Sequence, residues 1–248
     1  GRKKREDSQN KVECKRLPIG KKGLGKLAFF GIAKKADIET IKDGNKVIFE
    51  MDWEKIQKVS DKKEYEPIFS LSKTSDPNGT KITLSNIDRK SDFDIETLKK
   101  SISNYFIFDE DFKVYIKDTN VDEDFIEIDN EIRYQQGDRK EDFSWFLPQL
   151  VRKLELKRKY PFADKIKGKI ILFDKPVKNN LKGVTLFSRK KLVSLPESFP
   201  VQGSSHFFQY LTGWLEVDFI DDLKPDVIAT NRSSLNWNDE NLESLLSF

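Results

Sequence analysis

The spacing of apolar residues along the 248-residue chain predicts alternating helices and strands rather than one repeated element. Residues 23–35, GLGKLAFFGIAKK, are the first dense apolar run and predict a helix buried on nearly all sides. Strands are predicted at 36–41 and 46–53, joined at Asp43-Gly44-Asn45, a hairpin turn signal. PIFSLS (67–72) continues the strand pattern. In TKITLSNI (80–87), Ile82 and Leu84 alternate with polar neighbours, which predicts a half-buried strand opened by the turn Asp76-Pro77-Asn78-Gly79. Ile95, Leu98, Ile102 and Phe106 fall at helical spacing, and FKVYIK (112–117) reads as a strand.

The acidic segment 118–131 and the polar QQGDRKED (135–142) read as a joint between domains. Beyond it a helix is predicted over 143–160, strands at 169–173, 184–189 and 214–219, a helix near 205–212 and a terminal helix from Asp239. The order predicts an α+β protein of two domains, residues 1–130 and 131–248.

Composition then removes several chemistries. One cysteine, Cys14, excludes an internal disulfide and a Cys-rich zinc site. One histidine, His206, excludes His-cluster metal chemistry and reads as a partly buried polar residue. Asp221, Asp222 and Asp226 are spaced too loosely for a metal site and read as a solvated loop. No apolar run approaches the ~18 residues of a membrane span, and no secretory signal is visible, so a cytoplasmic protein with no membrane partner is expected. Charged residues make up 35% of the chain but the net charge is only +3, which argues against a general polyanion binder. The charge is uneven: residues 1–26 hold ten Lys and Arg against three acids.

Those 26 residues overlap RLPIGKKGLGKLAFFGIA (16–33), and the glycines there suggest phosphate. G-x-x-x-x-G-K spans residues 20–26, but a P-loop needs Ser or Thr next to ligate magnesium, and Leu27 stands there. Gly23-Leu24-Gly25-Lys26-Leu27-Ala28 satisfies the dinucleotide fingerprint, but no strand precedes it and Pro18 argues against one. A flexible lid over a triphosphate fits without a preceding strand. Gly20, Gly23 and Gly25 let main-chain amides approach phosphate oxygens. A helix opening near Leu24 adds unpaired N–H groups, and Lys21, Lys22 and Lys26 add charge. A glycine turn that merely caps a core helix stays open beside the lid.

With these residues in view, the chain resembles the gyrase, heat-shock chaperone, histidine kinase and MutL (GHKL) ATPase superfamily, especially its MORC-like and chaperone-like branches. RLPIGKKGLGKLAFFGIA resembles that family's lid motif, and IET (38–40) the strand after it. NGTKITL (78–84) resembles the motif whose threonine, here Thr80, approaches the nucleotide from the sheet floor. KGVTLFSRKKLV (182–193) and YLTGWLEVDFIDDLKPDVIATNRSSLNW (210–237) are similar to the transducer domain that follows.

The resemblance implies the C-terminal part of a Bergerat-type α/β sandwich followed by a ribosomal-protein-like transducer domain. It implies ATP held by Gly20, Lys22, Gly23, Leu24, Gly25, Lys26 and Thr80, with Arg232 as the γ-phosphate-sensing cation. Asn231 and Lys191 are second choices for that cation. No D-x-G-x-G adenine loop occurs, so the resemblance implies a chain that begins inside the ATPase domain. The Mg2+ ligand and the water-activating glutamate are then expected upstream, and the isolated chain is expected to be inactive. Implied partners are ATP, a second copy in a nucleotide-dependent homodimer, and DNA or a client protein. The alternative is a non-catalytic nucleic-acid-binding module that uses the basic N-terminal stretch, although residues 1–26 carry no aromatic to stack on bases.

Overall fold

Asp43 and Gly44 both take positive φ, 52° and 73°, the pair of angles whose twist suits a two-residue hairpin. The turn joins β1 (Ala33–Lys42) to β2 (Asn45–Asp52), with Lys42 opposite Asn45. Asp52 ends β2 and caps α1 (Trp53–Gln57), its carboxylate accepting the N–H groups of Glu54 and Lys55. β3 (Phe69–Lys73) and β4 (Gly79–Ile87) flank the hairpin, giving an all-antiparallel sheet in the order β3-β2-β1-β4.

The computed structural model describes residues 24–59, 65–121, 124–135, 140–153, 160–197, 205–229 and 231–246. Among them the chain divides into two compact units, with the boundary between Phe93 and Asp94.

Cross-strand partners share a face of a sheet, so the register of the first unit sorts its side chains. Ile38 lies opposite Phe49 and Ile82, Phe49 opposite Phe69, Thr40 opposite Val47 and Thr80, and Val47 opposite Leu71. That face is apolar through its middle, with Thr40, Thr80, Lys42, Asn45 and Lys73 towards its hairpin end, and Phe69, Leu71 and Ile82 are 66%, 65% and 53% exposed. The other face is ionic, with Lys46 paired to Glu39 at 2.9 Å and Lys55 to Glu50 at 3.0 Å. β4 is therefore mostly exposed where alternation predicts a half-buried strand.

The first apolar run also differs from expectation. It is a 3-10 helix over Leu24–Gly31, with Gly25, Leu27 and Ala28 exposed, and residues 33–35 already belong to β1. Gly25 and Gly31 are weak α-helix formers, and the tighter 3-10 winding offers no continuous apolar stripe. Phe30 is held by ring contacts with Phe29 at 4.6 Å and Trp53 at 5.0 Å.

The second unit opens with α2 (Ile95–Tyr105), capped by Asp94, which accepts the Thr97 N–H at 3.1 Å and its hydroxyl at 3.0 Å. β5 (Val114–Ile116) and β6 (Ile126–Ile128) form a small ribbon. A five-stranded sheet follows in the order β10-β9-β11-β8-β7, built from β7 (Glu141–Phe146), β8 (Lys167–Phe173), β9 (Gly183–Ser188), β10 (Lys191–Glu197) and β11 (Leu211–Glu216). Only β9 and β11 among these neighbours run parallel. α3 (Leu147–Lys153) and α5 (Glu240–Leu246) supply Leu147, Val151, Leu242 and Leu245 to the main core, beside Leu186, Val217 and Ile220. Between them α4 (Ser205–Phe208) is a single turn that leaves His206 exposed rather than partly buried.

Glu141–Phe146 is a strand where a helix was predicted. Its aromatic residues favour the pleated surface, and pairing with β8 decides the choice. Nor is 118–135 a loose joint. Asn130 exchanges two hydrogen bonds of 2.9 Å with the Phe108 backbone, Ile128 and Ile132 are buried with Phe108, and Arg133 donates to carbonyls at the end of α2. These contacts place residues 94–134 in the second unit, so the division by packing lies upstream of residue 130.

Candidate functional site

Of the lid residues, Gly20, Lys22 and Gly23 lie outside the described residues, and Leu24, Gly25 and Lys26 open the 3-10 helix. A Cβ added at Gly25 would meet nothing within 4 Å among the described residues, so no packing there demands glycine. The amides at the start of such a helix have no partner within its own ladder.

Thr80, the second residue of β4, shares the apolar face with Ile82 and is exposed. Its hydroxyl lies 3.0 Å from that of Thr40 on β1, and Thr40 Oγ1 also donates to the Gly79 carbonyl at 3.4 Å. The preceding turn is tied to the hairpin: the Asp43 N–H donates to Asn78 Oδ1 at 2.8 Å, and Asn78 Nδ2 donates back to Asp43 Oδ1 at 3.5 Å. The two loops, Asp43-Gly44 and Asp76-Pro77-Asn78-Gly79, thus set where β4 begins and where the Thr80 hydroxyl stands.

Arg232 sits in the second unit, at the tip of a loop closed by the Ile228–Leu235 bridge. Its φ is 55° and its N–H donates to the Ala229 carbonyl at 2.9 Å. It is not a surface arginine: Nε donates to the Leu192 carbonyl at 3.4 Å, and an NH2 group lies 3.5 Å from Asp221 Oδ2. The Asp221 side chain is wholly buried, which corrects the expectation of a solvated loop for that residue, whereas Asp222 and Asp226 are exposed. Ser188 Oγ donates to the same oxygen at 2.9 Å, and Arg189 Nε stands 3.6 Å from it. Lys191 lies two residues beyond Arg189, its ammonium 5.6 Å above the Phe106 ring. Burial, and secondarily the neighbouring Arg232 charge, hold the Lys191 ammonium below the usual lysine range. Asn231 is exposed and its side chain accepts the Ser233 N–H at 3.2 Å. The carboxylate at the centre of this cluster, Asp221, carried no signal in the sequence, because burial of one residue in Asp221-Asp222 and exposure of the next depends on what packs over the turn.

Among the described residues, no three His, Cys, Asp or Glu side chains gather in a way that could hold a metal ion. No helix among them is long and apolar enough to cross a membrane.

Residues 2–101 match the family model described as histidine kinase-, DNA gyrase B- and HSP90-like ATPase. The match is to the GHKL ATPase superfamily. The matched segment contains Gly25, Lys26 and Thr80, and Arg232 lies beyond it. Over its full length the chain is 26% identical to a candidate type II restriction enzyme, HgiDII, of Herpetosiphon aurantiacus, and it spans 43% of that protein. Among solved structures it is similar to the 43K ATPase domain of Thermus thermophilus gyrase B, crystallised with an aminocoumarin. That similarity has 8% identity and a TM-score of 0.43, and covers 79% of this chain and 57% of the other.

Proposed function

We propose that this chain is the lid-bearing part and second domain of an ATP-driven conformational switch. Division of the sequence into a GHKL half, residues 1–130, and a transducer-like half, 131–248, belongs to the proposal. The observation that carries it is Thr80, an exposed hydroxyl pinned at the start of β4, on the open face of a sheet whose sequence matches the GHKL model. An open face with an apolar middle and polar and cationic groups at one end is suited to a nucleotide and a further layer of structure.

In this reading the main-chain amides at 24–26 and the lysines of the lid neutralise phosphate oxygens, and Thr80 hydrogen-bonds the nucleotide from the floor. Magnesium would be held by groups other than the described residues and would supply charge neutralisation at the phosphates. Arg232 stabilises the charge that develops on the γ-phosphoryl group. A cation on a separate domain makes domain arrangement depend on nucleotide state, and a homodimer that closes on ATP follows naturally. A cytoplasmic setting, where ATP is abundant, fits this role.

The test is Arg232→Ala in the full-length protein. Turnover should fall by about 10²-fold or more while ATP affinity holds within about twofold. Unchanged turnover removes Arg232 from the mechanism. The isolated 248-residue chain should bind ATP weakly, and sub-micromolar affinity by calorimetry contradicts the proposal that its adenine pocket lies elsewhere.

The name of the Herpetosiphon relative favours DNA as the second partner, through the basic residues of 1–26. Neutralising Arg2, Lys3, Lys4 and Arg5 should then abolish a salt-dependent DNA affinity.

A further inference from the structure

Arg189, Lys190 and Arg232 are three of the five described non-glycine residues with positive φ, at 52°, 66° and 55°. All three are cations, and two of them turn toward one carboxylate. Arg189 and Lys190 form the two-residue turn between β9 and β10, where asparagine and glycine are the residues that adopt such angles readily. Left-handed backbone in residues of this kind persists only where surroundings hold it, and it concentrates at functional sites.

The holding groups are identifiable. The Arg189 N–H donates to Asp218 Oδ1 at 2.6 Å, and its NH2 group pairs with Asp222 at 3.1 Å. Lys190 pairs with Glu216 at 2.9 Å. Asp222 is 76% exposed and has water for compensation, whereas the Asp221 side chain has none. A buried carboxylate without compensating charge is strongly unfavourable, so Asp221 fixes the cations it faces far more firmly than a surface acid does. Its Oδ2 faces Ser188, Arg189 and Arg232 together.

We infer that Asp221 is a positioning residue: its buried carboxylate aligns the Arg232 guanidinium and, through Arg189, registers it against the β9–β10 turn that leads into Lys191. The inference rests on the proposed role of Arg232. Asp221 itself touches no nucleotide. It acts by keeping the guanidinium from swinging to the many orientations an arginine otherwise samples, so that its charge is aimed before the γ-phosphoryl group begins to transfer.

The test is a double-mutant cycle on steady-state ATP hydrolysis by the full-length protein, with Asp221→Asn, Arg232→Ala and the pair. Asp221→Asn alone should lower kcat on the order of 10- to 100-fold with KM for ATP unchanged. In the Arg232→Ala background the same change should cost nothing further, a dependence that general loosening of the fold does not produce. Equal losses in both backgrounds overturn the positioning role while leaving Arg232 in place. Full turnover in Arg232→Ala alone overturns the role of Arg232, and this inference with it. If Asp221→Asn does not fold, Ser188→Ala removes a hydrogen bond to the same oxygen and should show a smaller loss of kcat with the same dependence on Arg232. Additive behaviour of Ser188→Ala refutes the inference equally.

Discussion

The hydroxyls of Thr40 and Thr80 lie 3.0 Å apart on paired strands, directly opposite each other in the β1–β4 register. One hydroxyl donates to the other, so a neutral polar point is held near the hairpin end of that face, where Lys42, Asn45 and Lys73 follow in the register. Thr80→Val keeps the β-branched shape and removes the hydroxyl. Stability should change by less than about 0.5 kcal/mol, because the site is exposed. ATP affinity of the full-length protein should fall about fivefold, the worth of one hydrogen bond. Calorimetry measures both, and an unaltered affinity takes Thr80 out of the nucleotide site.

Arg133 is 4% exposed and donates from Nε to the Ser103 carbonyl at 2.8 Å, and from NH2 to the carbonyls of Ser103 and Phe106. Its guanidinium also lies 4.6 Å from the Phe187 ring centroid. A cation at the C-terminal end of α2 satisfies carbonyls the helix cannot. Arg133→Met retains the apolar stem and should destabilise the protein by about 3 kcal/mol in urea unfolding, from lost charge-assisted hydrogen bonds. A loss within experimental error shows that the carbonyls find other donors.

Burial pushes the Tyr134 phenol from 10.0 up to about 12, with Arg133 beside it offsetting part of the shift. Its hydroxyl has no hydrogen-bond partner among the described residues, although the Arg133 guanidinium lies 5.6 Å from the ring centroid. The folded state keeps the proton more tightly than the unfolded chain, so this contribution is complete below pH 10 and drains away between pH 10 and 12. Two pKa steps bound the loss at about 2.7 kcal/mol. Tyr134→Phe should cost less than about 1 kcal/mol at neutral pH and reduce the alkaline loss, leaving what Tyr160, also pushed up by burial, contributes. An identical pH profile for wild type and variant disproves the assignment.

Gly168 has φ of 155° and pairs with Leu215, and a Cβ there would stand 2.0 Å from the Trp214 carbonyl oxygen. Backbone cannot yield as a side-chain tip can. Gly168→Ala should destabilise by about 3 kcal/mol, from overpacking plus strain. Gly25→Ala, with nothing within 4 Å, should leave stability within about 0.5 kcal/mol. Thermal unfolding compares the two, and equal effects refute the distinction.

What the sequence determined by itself lies where a few adjacent residues decide the outcome. Asp43-Gly44 makes the hairpin because both can take positive φ, Asp94 starts α2 because its carboxylate reaches the Thr97 N–H, and residues 2–101 carry a pattern that a family model matches. The tertiary structure decided the rest. Phe143 and Trp145 read equally as helix or strand until β8 pairs with them. Ile82 alternates correctly yet stays exposed, since alternation specifies a face and not what lies against it. Asp221 and Asp222 are chemically identical neighbours, one buried against two arginines and a serine, the other in water. That difference comes from residues 11 to 33 positions away in the chain, whose approach no local pattern encodes.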